Sequence, residues 1–171
     1  MTNHPSYPIQ TTRLLLRPFQ IGDLDELYEM RSHPEVVRYL YWDVQTWAET
    51  KEALETKMAL IHFNVEGDSI VLAVVHQESS RVIGEVSLFW HSETHQQGEV
   101  GFVFNRVFQG KGYASEATKA MLAVGFDVYH LHRIYGRCDA RNVGSYKLMA
   151  RLGMRREAHF IHNELFRRMG R

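Results

Sequence analysis

The spacing of apolar residues along the chain predicts short helices and strands. In the first third of the chain, apolar positions recur at helical spacing with Glu and Lys between them, which predicts amphipathic helices. After the turn at Glu66-Gly67-Asp68 the period changes to nearly continuous apolar runs, which are typical of buried strands. The predicted strands cover residues 12–17, 69–76, 81–90, 99–104, 133–138 and 154 to about 165, and the predicted helices cover 23–32, 46–63, 113–129 and 143–151.

The order of these elements predicts the fold class. A strand meander comes first and strands then alternate with helices, an order that indicates an α/β fold with a mixed sheet and helices on its faces. A domain has about 150 residues on average, and the chain has 171. No repeat or linker divides it, so residues 1–171 are predicted to form a single domain.

Composition narrows the classes of protein to consider. Apolar residues make up 44% and charged residues 23%, as in ordinary globular proteins. There is no apolar run long enough to span a membrane and no secretory signal at the start, so we expect no membrane association. The single cysteine, Cys138, excludes an internal disulfide, and a cytoplasmic location is therefore expected.

The charges are balanced in total but not along the chain. Lys and Arg number 20 and Asp and Glu number 20, which gives no reason to expect a nucleic-acid partner. Residues 1–103 carry 7 basic and 15 acidic side chains, whereas residues 104–171 carry 13 basic and 5 acidic. Either the two segments interleave and their charges mix, or the second segment handles an anion and the first faces a cation.

A glycine-containing loop, Gln109-Gly-Lys-Gly-Tyr-Ala114, joins a predicted strand to a predicted helix. The first turn of a helix presents free N–H groups and a partial positive charge, and glycines let a ligand approach the backbone closely. The loop is therefore suited to a phosphate or pyrophosphate, although a plain strand-to-helix turn would use the same glycines. It matches neither the Walker loop nor the dinucleotide fingerprint.

Two motifs resemble those of the GNAT acyltransferases. Gln109-x-x-Gly112-x-Ala114 is similar to the [QR]-x-x-G-x-[GA] signature, and Asn142-x-x-Ser145 followed by Leu152-Gly153-Met154 is similar to the second motif. The runs 12–18 and 113–117 resemble the branch of ribosomal-protein N-terminal (Rim-type) acetyltransferases, and the whole resemblance covers about 11–165. It implies a mixed, mostly antiparallel sheet flanked by helices, with a cofactor cleft between splayed middle strands.

The resemblance also implies that acetyl-CoA is the cosubstrate. The exposed edge of the strand at Phe102, Val103 and Phe104 would pair with the pantetheine arm. Asn142 would hydrogen-bond the cofactor, or would only cap the helix that follows it. The backbone amides expected to hold the pyrophosphate are those of Gln109, Gly110, Lys111, Gly112, Tyr113 and Ala114, with Ser115 next in line.

The catalytic residues are less clearly marked than the binding loop. The superfamily's usual acid, a Tyr seven residues after the motif Asn, is replaced by Met149. In the resembled branch the Ser three residues after the Asn takes this part, which makes Ser145 the candidate. Glu99 and Glu164 compete as the general base, Glu85 is a weaker third, and each could equally be a surface residue. No metal is expected, since His91-Ser-Glu-Thr-His95 lacks the order of a zinc motif.

The predicted function is N-acetyl transfer from acetyl-CoA to a primary amine by direct attack in a ternary complex. The acceptor could be a protein N-terminus, a polyamine or an amino-bearing small molecule. The alternative is a non-catalytic acyl-CoA-binding or sensor protein on the same fold, which Met149 favours. The family closes with a hairpin for which residues 163–171 leave little chain. Either the chain is truncated, or a partner fills the gap, or the acceptor side is incomplete, and an unpaired strand edge favours a homodimer.

Overall fold

Six strands form one sheet in which each strand pairs with its neighbours in chain order. The structure is a computed structural model and describes residues 4–161. All neighbouring pairs are antiparallel except β5 and β6, which are parallel. The mixed, mostly antiparallel sheet is therefore confirmed. The strands are β1 (Ile9–Gln10), β2 (Leu14–Pro18), β3 (Ser69–His76), β4 (Arg81–Ser92), β5 (Gln97–Phe104) and β6 (Arg133–Tyr135).

Helices cover both faces of the sheet, as predicted. The helices α1 and α3 pack on one face, and α4 packs against β4 and β5 on the other. After its last residue α4 continues as a π-helical turn, Val124–Val128. The α-helices of the described chain are α1 (Leu24–Arg31), α2 (Pro34–Val37), α3 (Trp47–Ala59), α4 (Tyr113–Ala123) and α5 (Val143–Arg151).

The continuous apolar run of β3 reflects this two-sided cover. Successive side chains of a strand point to opposite faces, and in β3 nearly every side chain is buried. Leu72 and its alternate neighbours join the core cluster that contains Met121 of α4. Ala73 and its alternate neighbours join the second cluster, which contains Leu27 of α1 and Leu54 of α3. The sheet is therefore the middle layer of three.

The strands β5 and β6 pair over only three residues and then separate. The paired positions are Gln97–Glu99 with Arg133–Tyr135. Beyond Glu99, no strand of the described chain pairs with this edge of β5. The predicted strand 133–138 accordingly ends at Tyr135, since the chain beyond it has left the ladder. The splay opens a cleft beside Gly101–Phe104, as the resemblance implies.

Two further predicted elements end differently in the structure. The helix predicted over 46–63 ends at Ala59, because the chain turns at Leu60 and directs Phe63 into the core beside Trp90. The strand predicted over 154–165 is wrong for residues 154–161, which form no strand. Its apolar residues are not buried, since Phe160 and Ile161 are 69% and 79% exposed. Residues 162–165 lie outside the described chain.

Candidate functional site

The loop between β5 and α4 presents free backbone amides. Gly110 and Gly112 have φ angles of +76° and +82°, a region that favours glycine. Gly112 caps α4 without a side chain, and its carbonyl accepts the first intrahelical bond, from Glu116 N–H, at 3.0 Å. The amides from Gly112 through Tyr113 and Ala114 to Ser115 therefore have no acceptor within the helix. Together with the helix dipole, they suit an anionic ligand.

The side chain of Gln109 ties this loop to the end of β5. Its Nε2 donates to the carbonyl oxygen of Phe104 at 3.0 Å. Asn105 directly follows Phe104, and its side-chain Oδ1 accepts a hydrogen bond from Val107 N–H. This contact shapes the short turn Arg106–Phe108. The sequence predicted only a backbone contribution from Gln109. The structure adds that its side chain fixes where the loop begins.

A clamp of three residues, Thr11, Arg13 and Glu116, holds the loop from the other side. One Glu116 oxygen accepts from Thr11 Oγ1 at 2.7 Å and from the Arg13 N–H at 2.8 Å, and the other accepts from Arg13 Nε at 2.7 Å. Arg13 also donates to the Lys111 carbonyl at 2.9 Å and lies 4.5 Å from the ring centre of Tyr113. The clamp thus joins the start of β2 to the first turn of α4.

Sequence reasoning did not predict the clamp. Thr11 and Arg13 lie more than 100 positions from Glu116, so no local pattern connects them to it. The runs 12–18 and 113–117, which resemble one branch of the acetyltransferases, contain Arg13 and Glu116 and were the available signal. Lys111 itself is exposed, with its ammonium 5.5 Å from the ring centre of Phe108.

The free edge of β5 lies directly before this loop. Phe104 is buried against Gly84, while Phe102 and Val103 are half-buried. Their backbone pairs with β4 on one side and with no strand of residues 4–161 on the other. An extended chain could therefore add to this edge and reach the amides of the loop.

Glu99 lies at the point where β5 and β6 part. Both of its oxygens accept from Arg137, at 3.0 and 3.1 Å, and His91 Nε2 lies 3.1 Å from Oε2. Its side chain is only 14% exposed. The structure therefore places this candidate base at the apex of the cleft, in an ion pair. From the sequence, His91 was a candidate only for metal binding, and its contact with Glu99 was not predicted.

The start of α5 brings Asn142 and Ser145 together. Asn142 Oδ1 accepts from the backbone N–H of Ser145 at 3.1 Å, which confirms the capping contact. The cap uses the Ser145 backbone, and its hydroxyl takes no part in it. Met149 packs where a side chain at Gly136 would lie, next to the end of β6. The third catalytic candidate, Glu164, lies outside the described residues.

A small cavity lies between the sheet and the helices α1 and α2. It has room for about one water molecule. Apolar side chains form much of its wall, and Arg31, Trp42 and Glu85 contribute polar groups. Val103 also lines it, so the cavity reaches the splayed part of β5. Lys57 donates to Glu85 at 2.9 Å. Glu85, the third candidate for the general base, is therefore held in a buried ion pair.

Ion pairs join the acidic first segment to the basic second segment. Arg13 pairs with Glu116, Glu35 with Arg106, and Glu99 with Arg137. Each pair links a residue before position 104 to one after it. The opposite charges therefore mix where the elements meet. This agrees with the interpretation that the acidic and basic segments interleave in the fold.

Residues 4–161 contain neither a membrane-spanning helix nor a metal-binding group of side chains. No described helix has the length and apolar character needed to cross a membrane. No three or more His, Cys, Asp or Glu side chains within that range are arranged to hold a metal ion.

Comparison with known sequences matches this chain to one family. The family model described as an acetyltransferase (GNAT) domain matches residues 13–155. An uncharacterized N-acetyltransferase of Bacillus subtilis (strain 168), YnaD, is 36% identical over 152 residues, which cover 89% of this chain and 85% of that protein.

Solved structures agree with this match. An acetyltransferase (GNAT family) from Bacillus anthracis has a TM-score of 0.79 at 33% identity, covering 89% of this chain and 86% of its own. Spermidine N-acetyltransferase from Vibrio cholerae, solved in complex with CoA and spermine, has a TM-score of 0.75 at 22% identity and covers 92% of this chain and 89% of its own. At the lower identity the likeness shows the fold alone.

Proposed function

Because the chain belongs to the GNAT acetyltransferase family, we propose that it moves acetyl from acetyl-CoA to a primary amine by direct attack in a ternary complex. One arrangement supports this best: the free amides of the α4 N-terminus follow directly on the unpaired edge of β5. An anionic head group and an extended arm on one ligand would meet both features at once.

The residues of the cleft fit acetyl-CoA, which supplies the acetyl group as a thioester. The amides of Gly112 to Ser115 would bind the pyrophosphate, and the loop from Gln109 to Lys111 would surround it. The β5 edge at Phe102, Val103 and Phe104 would hydrogen-bond the pantetheine arm. Asn142 can contribute its side-chain amide N–H, since only its oxygen is used in the cap.

The chemistry requires two proton movements. A new N–C bond forms while the C–S bond breaks, the amine nitrogen loses a proton, and the leaving sulfur gains one. Ser145 is the proposed donor to the sulfur, because its hydroxyl is not used by the α5 cap. Glu99 and Glu164 remain the proposed bases, and for Glu99 this requires the amine or a water to reach a carboxylate held by Arg137.

A non-catalytic acyl-CoA-binding protein is the alternative. Met149 favours it, because this residue occupies the position of the family's usual acid and cannot donate a proton. The homodimer and the cytoplasmic location expected from the sequence stay predictions.

Initial-rate kinetics test the proposed mechanism. Release of thiol from acetyl-CoA is followed while acetyl-CoA and an accepted amine are varied together. Direct attack in a ternary complex predicts reciprocal plots that intersect, because both substrates must be bound before any bond breaks. Parallel plots would indicate an acetylated enzyme and would contradict the mechanism.

A further inference from the structure

Two residues that line the cavity beside α1 and α2 each have a buried hydrogen-bond donor that lacks an acceptor. Nη1 of Arg31 and Nε1 of Trp42 are both buried and have no hydrogen-bond partner within the described chain. A buried donor without an acceptor loses its hydration without compensation, so such atoms are rare in folded proteins. Two of them on residues that line one cavity indicate a ligand atom that accepts hydrogen bonds.

The two donors are held as neighbours. Arg31 is only 8% exposed, and its Nε donates to Gln45 Oε1 at 2.9 Å. Its guanidinium carbon lies 4.6 Å from the ring centre of Trp42, so the indole covers the guanidinium. Nη1 and Nε1 therefore belong to two residues in contact with each other, and both residues line a space of about one water molecule, which has the size of one oxygen atom.

The charge of the cavity favours an anionic group. Arg31 and Glu85 are the charged residues among those that line it, and Lys57 already pairs with Glu85. The three side chains together therefore carry one positive charge in excess. Burial lowers the pKa of Arg31 and the nearby Glu85 opposes this, but a guanidinium stays protonated in proteins. A second cation, such as the remote amine of a polyamine, would be repelled here.

We propose that the acceptor amine carries a carboxylate, one oxygen of which enters this cavity and is bound by Arg31 and Trp42. The inference rests on the proposed function, since it names the acceptor class of the same site. Val103 links the two: it lines the cavity and belongs to the β5 edge beside which the acetyl group would lie. The acceptor is therefore an amino-acid-like compound rather than a polyamine.

Matched acceptors test this inference on the unaltered protein. Glycine, β-alanine and 4-aminobutyrate, each against its own amide, vary the spacing between amine and carboxylate, and spermidine represents the polyamines. A hydrogen-bonded pair of opposite charges predicts that the KM of at least one acid is about 10-fold or more below that of its amide. If the amides or spermidine have KM values equal to or lower than those of every acid, the inference is overturned and the proposed function still stands. No thiol release from any acceptor, although acetyl-CoA binds, would overturn the proposed function together with the inference.

Variants identify the donors. Arg31→Gln is expected to abolish the preference of acid over amide. Trp42→Phe, which keeps an aromatic ring but removes the indole N–H, is expected to reduce it. Arg38→Gln is the matched control, because Arg38 is exposed and contacts Tyr39 instead. If Arg31→Gln does not fold, the Trp42→Phe variant and the pairs of acid and amide acceptors still test the inference. If the donors bind only a bridging water molecule, the Arg31 and Trp42 variants will melt at lower temperatures but will keep the same preference of acid over amide. That result would overturn the inference.

Discussion

Glu116 connects the N-terminal strands to the helix whose first turn supplies the proposed binding amides. Burial tends to raise the pKa of this carboxyl, but the hydrogen bonds from Thr11 and Arg13 together outweigh burial, and its pKa is lowered. The charged form is therefore more stable in the folded chain than in the unfolded chain. Its stabilising effect is complete above the unfolded pKa of about 4.3 and is lost as pH falls through the folded pKa.

Replacing this carboxylate tests the clamp. Glu116→Gln should lower the free energy of unfolding by about 1 to 3 kcal/mol at pH 7, since it weakens three hydrogen bonds to a charged group that is 17% exposed. The difference from the unaltered protein should shrink below about pH 4. Urea unfolding at pH 7 and at acidic pH measures it, with Glu55→Gln on the exposed side of α3 as the control. A difference that does not depend on pH would contradict the charged clamp.

Gly112 lies at the centre of the proposed anion-binding loop. Gly112→Asp places a carboxylate among the free amides, and it also strains a backbone with a φ of +82°. Gly67→Asp is the matched control, because Gly67 has a φ of +96° in a turn where an added Cβ atom meets nothing within 4 Å. In thermal unfolding we expect acetyl-CoA to stabilise the control but not Gly112→Asp. At 100 times the Kd, the lost stabilisation is about 2.7 kcal/mol. Equal stabilisation of both variants would place the anion elsewhere.

At the scale of elements, α5 offers a test that separates folding from binding. Asn142→Asp keeps the oxygen that caps the helix but replaces the amide N–H donors. The melting temperature without ligand should therefore stay close to that of the unaltered protein, while stabilisation by acetyl-CoA should fall. Asn142→Ala removes the cap as well and should destabilise the fold by about 1 kcal/mol. Full stabilisation of Asn142→Asp by acetyl-CoA would leave Asn142 with the capping role alone.

Elements that depend on local pattern were predictable from the sequence. The run of β3 gave correct bounds, because its side chains are buried on both faces of the sheet. The apolar stripe of the helix predicted over 113–129 gave the correct start, but α4 ends at Ala123 and continues as the π-helical turn Val124–Val128. The end of α3 and the strand predicted after Met154 were wrong, because both depend on what the chain meets elsewhere: Phe63 finds the core beside Trp90, whereas Phe160 remains exposed.

In the candidate site, too, the contiguous motif was predictable from the sequence and the long-range contacts were not. The loop from Gln109 to Ala114 has a contiguous motif, and the structure gives it the backbone geometry expected. Arg13 and Glu116, or Arg31 and Trp42, have no common motif, since tertiary packing alone brings each pair together. Sequence patterns report which chemistry is available, and the long-range contacts decide where it is used.

At the scale of the whole molecule, the splay of β5 and β6 organises the cleft. The sheet carries the proposed acetyl-CoA edge at Gly101–Phe104, and the helices α1 and α2 line the proposed acceptor cavity beside Val103. The charge totals of the two segments do not describe this cleft, because ion pairs such as Glu99 with Arg137 join them across it. Electrostatic recognition here depends on local groups, namely the α4 amides for an anion and Arg31 for the proposed carboxylate.

Amine-dependent release of thiol from acetyl-CoA tests the proposed acetyl transfer most directly. Purified full-length protein is incubated with acetyl-CoA, with and without the acceptor panel, and the Gly112→Asp and Gly67→Asp variants are run in parallel. Acetyl transfer predicts thiol release that requires an amine, saturates with acetyl-CoA, persists in Gly67→Asp and is lost in Gly112→Asp. Stabilisation by acetyl-CoA without thiol release from any amine would contradict it and would instead support an acyl-CoA-binding protein.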